Sequence, residues 1–201
     1  NTMYFVATGV GADGGLYKST DAGQNWSRVA GAVTGNDIER LAIGLSNQGT
    51  RVWLAGSKGG QVVIQRSTDS GATWTTLAAT DIPESVDQAS YQLYCESQCD
   101  YDNAVAVNPF DANEAWLAGV GAFRTRDGGQ SWDVVSPDLT KALDWKKLPI
   151  MGIVRDSTTP SRDDGVSDYG TITTLSESPS ARGTLLAGTD DGNVQLTTDG
   201  G

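Results

Sequence analysis

The chain contains no histidine, which excludes a Ser-His-Asp or Cys-His nucleophile system, a histidine-ligated metal and a histidine pH switch within these residues. Positive charge is scarce: 14 Lys and Arg stand against 25 Asp and Glu, a formal net charge of -11 and an isoelectric point about 4.2. Such a surface repels phosphate backbones and anionic headgroups, so neither nucleic acid nor a membrane is expected as a partner. Long apolar runs are absent too, with nothing near the roughly 20 residues that cross a bilayer. Asn1-Thr2-Met3-Tyr4 lacks the basic start and apolar core of a signal peptide, so any leader of an exported protein is expected to be gone already. What the chain does hold is 25 glycines and 6 tryptophans within a 38% hydrophobic composition, which describes a globular chain rather than a disordered one.

The glycines and tryptophans are periodic. Ser19-Thr20-Asp21-Ala22-Gly23-Gln24-Asn25-Trp26 is matched by Ser67-Thr68-Asp69-Ser70-Gly71-Ala72-Thr73-Trp74 and by Thr125-Arg126-Asp127-Gly128-Gly129-Gln130-Ser131-Trp132, and Thr197-Thr198-Asp199-Gly200-Gly201 begins a fourth copy. Upstream of each copy a strand-like run closes on Gly9, Gly56, Gly119 or Gly188. Each unit reads as four short strands, A to D; in the second, A is Leu41 to Ser46, B is Arg51 to Gly56, C is Gln61 to Ser67 and D starts at Thr73. Turn residues such as Asn47-Gln48-Gly49 and Lys58-Gly59-Gly60 separate them, as hairpin corners require. Regular repetition of four antiparallel strands predicts an all-β fold, a β-propeller, with the aspartate phrase at the C–D hairpin of each blade.

In that hairpin the aspartate accepts backbone N–H groups two or more residues on, the glycine takes a left-handed backbone, and the tryptophan staples the corner. Asp21, Asp69, Asp127 and Asp199, Gly23, Gly71, Gly129 and Gly201, and Trp26, Trp74 and Trp132 are therefore read as structural. One acid per hairpin around a ring leaves the copies too far apart for a metal or a catalytic pair.

The phrase Ser/Thr-x-Asp-x-Gly-x-x-Trp resembles the Asp-box, or bacterial neuraminidase repeat, family, and the resemblance extends along essentially the whole chain. The stretches from Tyr101 to Pro109, from Gly170 to Pro179 and from Gly188 to Gln195 are most similar to sortilin-like propellers and exported bacterial Asp-box proteins. Sialidases of this group carry a Phe/Tyr-Arg-Ile-Pro segment before the first box, which does not occur here, and neither aspartate of the xyloglucan-cleaving propellers can be matched to a motif. No catalytic residue, cofactor or metal ligand is carried over.

Propeller topology puts the A–B and C–D turns on one face and the B–C turns and D-to-A connections on the other, so a ligand site is expected opposite the boxes. Connections on that face lengthen along the chain, from Ala30 to Leu41, Ala78 to Asn103 and Ser136 to Gly170; long loops in a compact repeat are more often functional than accidental. Arg40, Asp102 and Tyr169 each precede an A strand and are expected to converge on the central funnel. Trp145 alone of the tryptophans lies outside the repeat, either stacking on a ligand or capping the core under its loop. Asp163, Asp164 and Asp168 form an acidic run that reads as a cation site or as a solvated stretch. Cys95 and Cys99 can close a small disulfide loop, stay free thiols or join a metal; the first is expected of an exported chain without further ligands.

These readings divide the chain into a partial blade at 1–30, a second blade at 31–78, a third with the cysteine insertion at 79–136, and a long insertion with a truncated fourth at 137–201. About four incomplete blades leave open sheet edges, so an arc of a larger propeller is expected, partnered by its remainder or by a second chain. The function expected first is a non-catalytic scaffold, secreted, periplasmic or on the cell surface, that binds a protein, peptide or glycan. A glycoside hydrolase with carboxylates across the funnel and an architectural segment of an extracellular assembly are the alternatives.

Overall fold

The computed structural model describes residues 2–47, 49–78, 82, 94–95, 99–144, 147–150, 152–154, 156, 158–159 and 170–201. The second blade has the order A-B-C-D in full, as β4 (Ile38–Leu45), β5 (Val52–Lys58), β6 (Gln61–Ser67) and β7 (Thr75–Leu77). The third repeats it with β8 (Ala104–Val107), β9 (Ala115–Ala118), β10 (Ala122–Thr125) and β11 (Asp133–Val134). The first blade comprises β1 (Met3–Ala7), β2 (Gly15–Ser19) and β3 (Ser27–Arg28), which align with B, C and D; the fourth comprises β14 (Ile172–Glu177), β15 (Leu185–Thr189) and β16 (Val194–Thr197), which align with A, B and C. Every pairing is antiparallel. A strands line the axis, with β8 packed between β4 and β14.

Several strand boundaries differ from the sequence reading: β4 ends at Leu45 rather than Ser46, β5 spans Val52–Lys58 rather than Arg51–Gly56, and the starts of β4 and β7 move as well. Strand β4 begins at Ile38 rather than Leu41, because its first residues pair with Ser57 and Lys58 across a register shift between Ile38 and Arg40. Strand β7 begins at Thr75 rather than Thr73, because the Thr73 amide is spent on the Asp69 carboxylate. The long insertion also holds a short hairpin, β12 (Pro149–Ile150) with β13 (Ile153–Val154), turned at Gly152 with φ 83°, that the pattern of the repeat did not predict.

Inside each box the serine or threonine hydroxyl donates to the aspartate and accepts the glycine N–H four residues on: Ser67 to Asp69 at 2.8 Å and from Gly71 at 2.8 Å, Thr125 to Asp127 at 2.9 Å and from Gly129 at 2.7 Å. The residues after the aspartate are left-handed in pairs, φ 62° and 88° at Ala22 and Gly23, 59° and 87° at Ser70 and Gly71, and only glycine is unstrained there. In the second, third and fourth boxes the first of the pair donates its N–H to the A–B turn of its own blade: Ser70 to the Thr50 carbonyl, Gly128 to Asn113 and Gly200 to Gly183, all at 2.9 Å. Boxes and A–B turns thus share one face.

The blades are joined by packing and by a repeated latch. Leu16, Val29, Leu54 and Trp74 form a core between blades one and two, and Trp53, Ile64, Leu117 and Trp132 one between two and three. A cation just before each of the first three boxes reaches the next blade's box: Lys18 Nζ donates to the Ser70 carbonyl at 2.7 Å, Arg66 to the Gly128 carbonyl, and Arg124 to the Gly200 carbonyl at 2.8 Å. Across the strand from each cation stands an aromatic residue, Tyr4, Trp53 or Trp116, and Tyr4 Oη and Trp116 Nε1 donate to the same carbonyls.

Candidate functional site

Opposite the boxes, three blades meet around Tyr101. Arg40, half-buried in β4, donates from its guanidinium to the Tyr101 carbonyl at 2.5 Å. The Tyr101 ring is 46% exposed, and its hydroxyl donates to Asp190 at 3.2 Å. Asp190 lies in the B–C turn of the fourth blade and accepts the N–H groups of Gly170 and Thr171 at 3.0 and 2.9 Å. A carboxylate held by backbone donors keeps its orientation. At the edge of the same face Glu39 accepts the Ser57 hydroxyl and the Gly60 N–H, and Lys58 Nζ donates to the Thr34 carbonyl at 2.7 Å.

Of the residues expected to converge here, Arg40 reaches the face. Asp102 does not: it has no exposed surface. The chain turns inward after Tyr101, so the exposed side chain is its neighbour and the carboxylate lies in the interior, where it raises the Tyr94 phenol along with the larger effect of that phenol's own burial. Tyr169 and Trp145 lie outside the described residues, as do Asp163, Asp164 and Asp168. Tyr101 and Asp190 were missed by position-matching. Tyr101 is one residue from the matched site, and Asp190 sits in the Gly188-Thr189-Asp190-Asp191-Gly192 turn, where the box-like Thr-x-Asp spacing selects its neighbour Asp191, whose carboxylate accepts the Thr189 hydroxyl.

Cys95 and Cys99 are joined in a disulfide with Cα atoms 4.8 Å apart. With Tyr94 they are buried in the core between the second and third blades. Tyr94 caps the B–C turn there, its carbonyl accepting the Val120 N–H at 2.9 Å, while its hydroxyl donates to Asn103, whose amide donates to the Ala55 carbonyl at 2.6 Å. Cys95 and Cys99 are 0% and 1% exposed, so the disulfide offers no surface to a ligand.

The box aspartates are electrostatically set but occupied. Asp21 is lowered to about 2 by donors from Asn25 and Ser19, Asp69 to about 2 by donors from Thr73 and Ser67, and Asp127 is lowered by Ser131 first. Both oxygens of each are engaged, the second by the side chain just before the tryptophan: Asn25 at 2.7 Å, Thr73 at 2.6 Å, Ser131 at 2.5 Å. Among the described residues no three Cys, Asp or Glu side chains are grouped to hold a metal, and no helix is long and apolar enough to cross a membrane.

No protein-family model matches the chain, and no curated protein does. Solved structures do. The GH74 enzyme of Niastella koreensis matches 100% of this chain and 27% of its own, with 18% identity and a TM-score of 0.57. The GH74 xyloglucanase of Xanthomonas campestris matches 98% of this chain and 27% of its own, with 14% identity and a TM-score of 0.57. The chain thus spans 27% of the length of either enzyme. At these identities the likeness is one of fold, and it agrees with the four-stranded antiparallel blades: the described chain is an arc of a β-propeller.

Proposed function

We propose that the chain is a non-catalytic, exported propeller segment whose face opposite the boxes binds a glycan. The observation that carries this reading is the exposed Tyr101 ring, held by Asp190 through its hydroxyl and by Arg40 through its carbonyl. A fixed aromatic plane beside a charged acceptor and a guanidinium suits a polyhydroxylated ring, which stacks its apolar face and hydrogen-bonds at its rim. Tyr101 is supplied by the third blade, Arg40 by the second and Asp190 by the fourth, so the site exists only in the assembled arc. Asp190 is taken up by four donors from Tyr101, Gly170 and Thr171, an arrangement for positioning rather than for proton transfer, and this favours a binder over a glycoside hydrolase. The remainder of a propeller or a second chain is the partner at the open blade edges.

Titration calorimetry with a neutral β-glucan oligosaccharide tests the reading. Binding is expected to weaken by about tenfold or more in Tyr101→Ala, equivalent to about 1.4 kcal/mol and within the range of a buried aromatic anchor, with no new reducing ends released by the wild-type chain. Equal affinity of the variant, or release of reducing ends, contradicts it.

A further inference from the structure

Strand β8 lines the axis with an exposed aromatic residue beyond each of its ends. Tyr101 stands before it on the face opposite the boxes and Phe110 after it on the box face, 46% and 49% exposed. Phe110 belongs to the A–B turn of the third blade and borders a groove of about 260 Å³ against the A–B turn of the second, whose Ser46, Asn47 and Thr50 form the other wall. The Asn47 side-chain amide ties the two turns across the blade interface, donating to the Pro109 carbonyl at 3.1 Å.

The turn itself does not require an aromatic residue. The fourth blade builds an A–B turn of the same length with the same hydrogen bonds. Asn108 Oδ1 accepts the Phe110 and Asp111 N–H groups at 2.7 and 3.2 Å, as Ser178 Oγ accepts those of Ser180 and Ala181 at 3.3 and 3.2 Å. The Asn108 N–H then donates to the Glu114 carbonyl, as that of Ser178 does to Thr184. Ser180 thus stands in the fourth blade where Phe110 stands in the third. The backbone under Phe110 is nonetheless fixed, because Asn108 is 1% exposed and its side-chain amide donates to the buried Glu114 at 2.5 Å. A ring held on such a turn is a preformed stacking plane.

The polar groups of the groove indicate what stacks there. No charged side chain lines it. Peptides are recognised largely through main-chain hydrogen bonds, but the Ser46 and Phe110 N–H groups and the Thr50 and Pro109 carbonyls are already spent within the protein. The Thr50 hydroxyl and the Asn47 side-chain oxygen have no partner among the described residues. A neutral acceptor and a hydroxyl beside a ring plane complement the hydroxyl rim and apolar face of a sugar. We propose that this groove is a second glycan site, taking one unit of a neutral polysaccharide, so that the arc is bivalent with a site at each end of β8. Lacking a charged partner, it is the weaker of the two. Its residues are separate from the Tyr101 face, and it does not depend on what that face binds.

An NMR titration of the isotopically labelled chain with a neutral β-glucan oligosaccharide reads both sites in one spectrum. Saturable shifts are expected at the amides of Thr50, Phe110 and Ala112, with a Kd about tenfold or more above that of the Tyr101 set. Phe110→Ser introduces the residue that the fourth blade carries in the same turn. It is expected to weaken binding at the Thr50 set by about tenfold or more and to leave the Tyr101 set and the melting temperature unchanged, while Tyr101→Ala leaves the Thr50 set in place. Shifts at the Thr50 set without any at Tyr101 support this site and count against the one on the opposite face. An absence of saturable shifts at Phe110, shifts that persist unweakened in Phe110→Ser, or a response there to a proline-containing peptide and not to the sugar overturns the proposal.

Discussion

Among single residues, the box aspartate most clearly joins sequence to stability. Its hydroxyl and backbone donors lower the folded-state pKa of Asp21 and Asp69 from 3.8 to about 2. A carboxylate lowered on folding contributes stability that is fully present above its unfolded value and is lost as pH falls through the folded one. The midpoint of thermal unfolding is therefore expected to be flat above pH 5 and to fall steeply between about pH 4 and pH 2, and Asp69→Asn is expected to remove part of that slope. A midpoint unchanged from pH 4 to pH 2 contradicts this. The serine, aspartate and glycine of the box were legible because each has one chemical task in the turn. The residue before the tryptophan passed as arbitrary, although Asn25, Thr73 and Ser131 all donate to the second carboxylate oxygen; what repeats there is a donor group carried by three different residue types.

At the scale of elements, strands were readable from alternating apolar residues and glycine turns, while what fastens one blade to the next was not. The sequence reading made each tryptophan a staple of its own hairpin; the structure shows that Trp74 and Trp132 also fill the interface with the preceding blade. The latch cations were hidden for a related reason. Lys18, Arg66 and Arg124 each precede a box serine or threonine, but their acceptors lie on the next blade, a repeat away in the chain. Arg66 also stands over the Trp53 ring, 5.9 Å from its centroid. Arg66→Met keeps much of the aliphatic stem and removes the charged donor, so a loss of about 1.5 kcal/mol in denaturant unfolding is expected. A change below about 0.5 kcal/mol, the scale of an ordinary surface substitution, counts against the latch. The cysteine insertion is an element whose placement the sequence could not supply, since spacing speaks to ring closure and not to burial. Because Cys95, Cys99 and Tyr94 are in the core, the double variant Cys95→Ala/Cys99→Ala is expected to lose about 2 kcal/mol from the loop-closure effect alone. Unfolding unaltered by that double substitution would place the disulfide outside the cooperative core.

For the whole molecule, topology did more than residue matching. The rule that boxes and A–B turns share a face follows from strand order, and it directed attention to the opposite face, where Arg40, Tyr101 and Asp190 come together. Matching positions before each A strand then selected Asp102, because it counts residues and is blind to which way a side chain turns; the structure buries Asp102 and exposes Tyr101. Asp190 escaped because its partners are distant in the chain: Gly170-Thr171 meet it when the fourth blade's first two strands pair, and Tyr101 only when the third and fourth blades are side by side. The acidic charge of -11 is spread over a surface whose box aspartates are internally satisfied, in keeping with a glycan rather than a polyanion as ligand. The measurement that bears most directly on this account is a two-dimensional NMR titration of the isotopically labelled chain with a neutral β-glucan oligosaccharide. Saturable shifts are expected at the amides of Arg40, Tyr101, Thr171 and Asp190, with the box amides of Gly71 and Gly129 unmoved; shifts centred on the boxes, or none at Tyr101, would contradict it.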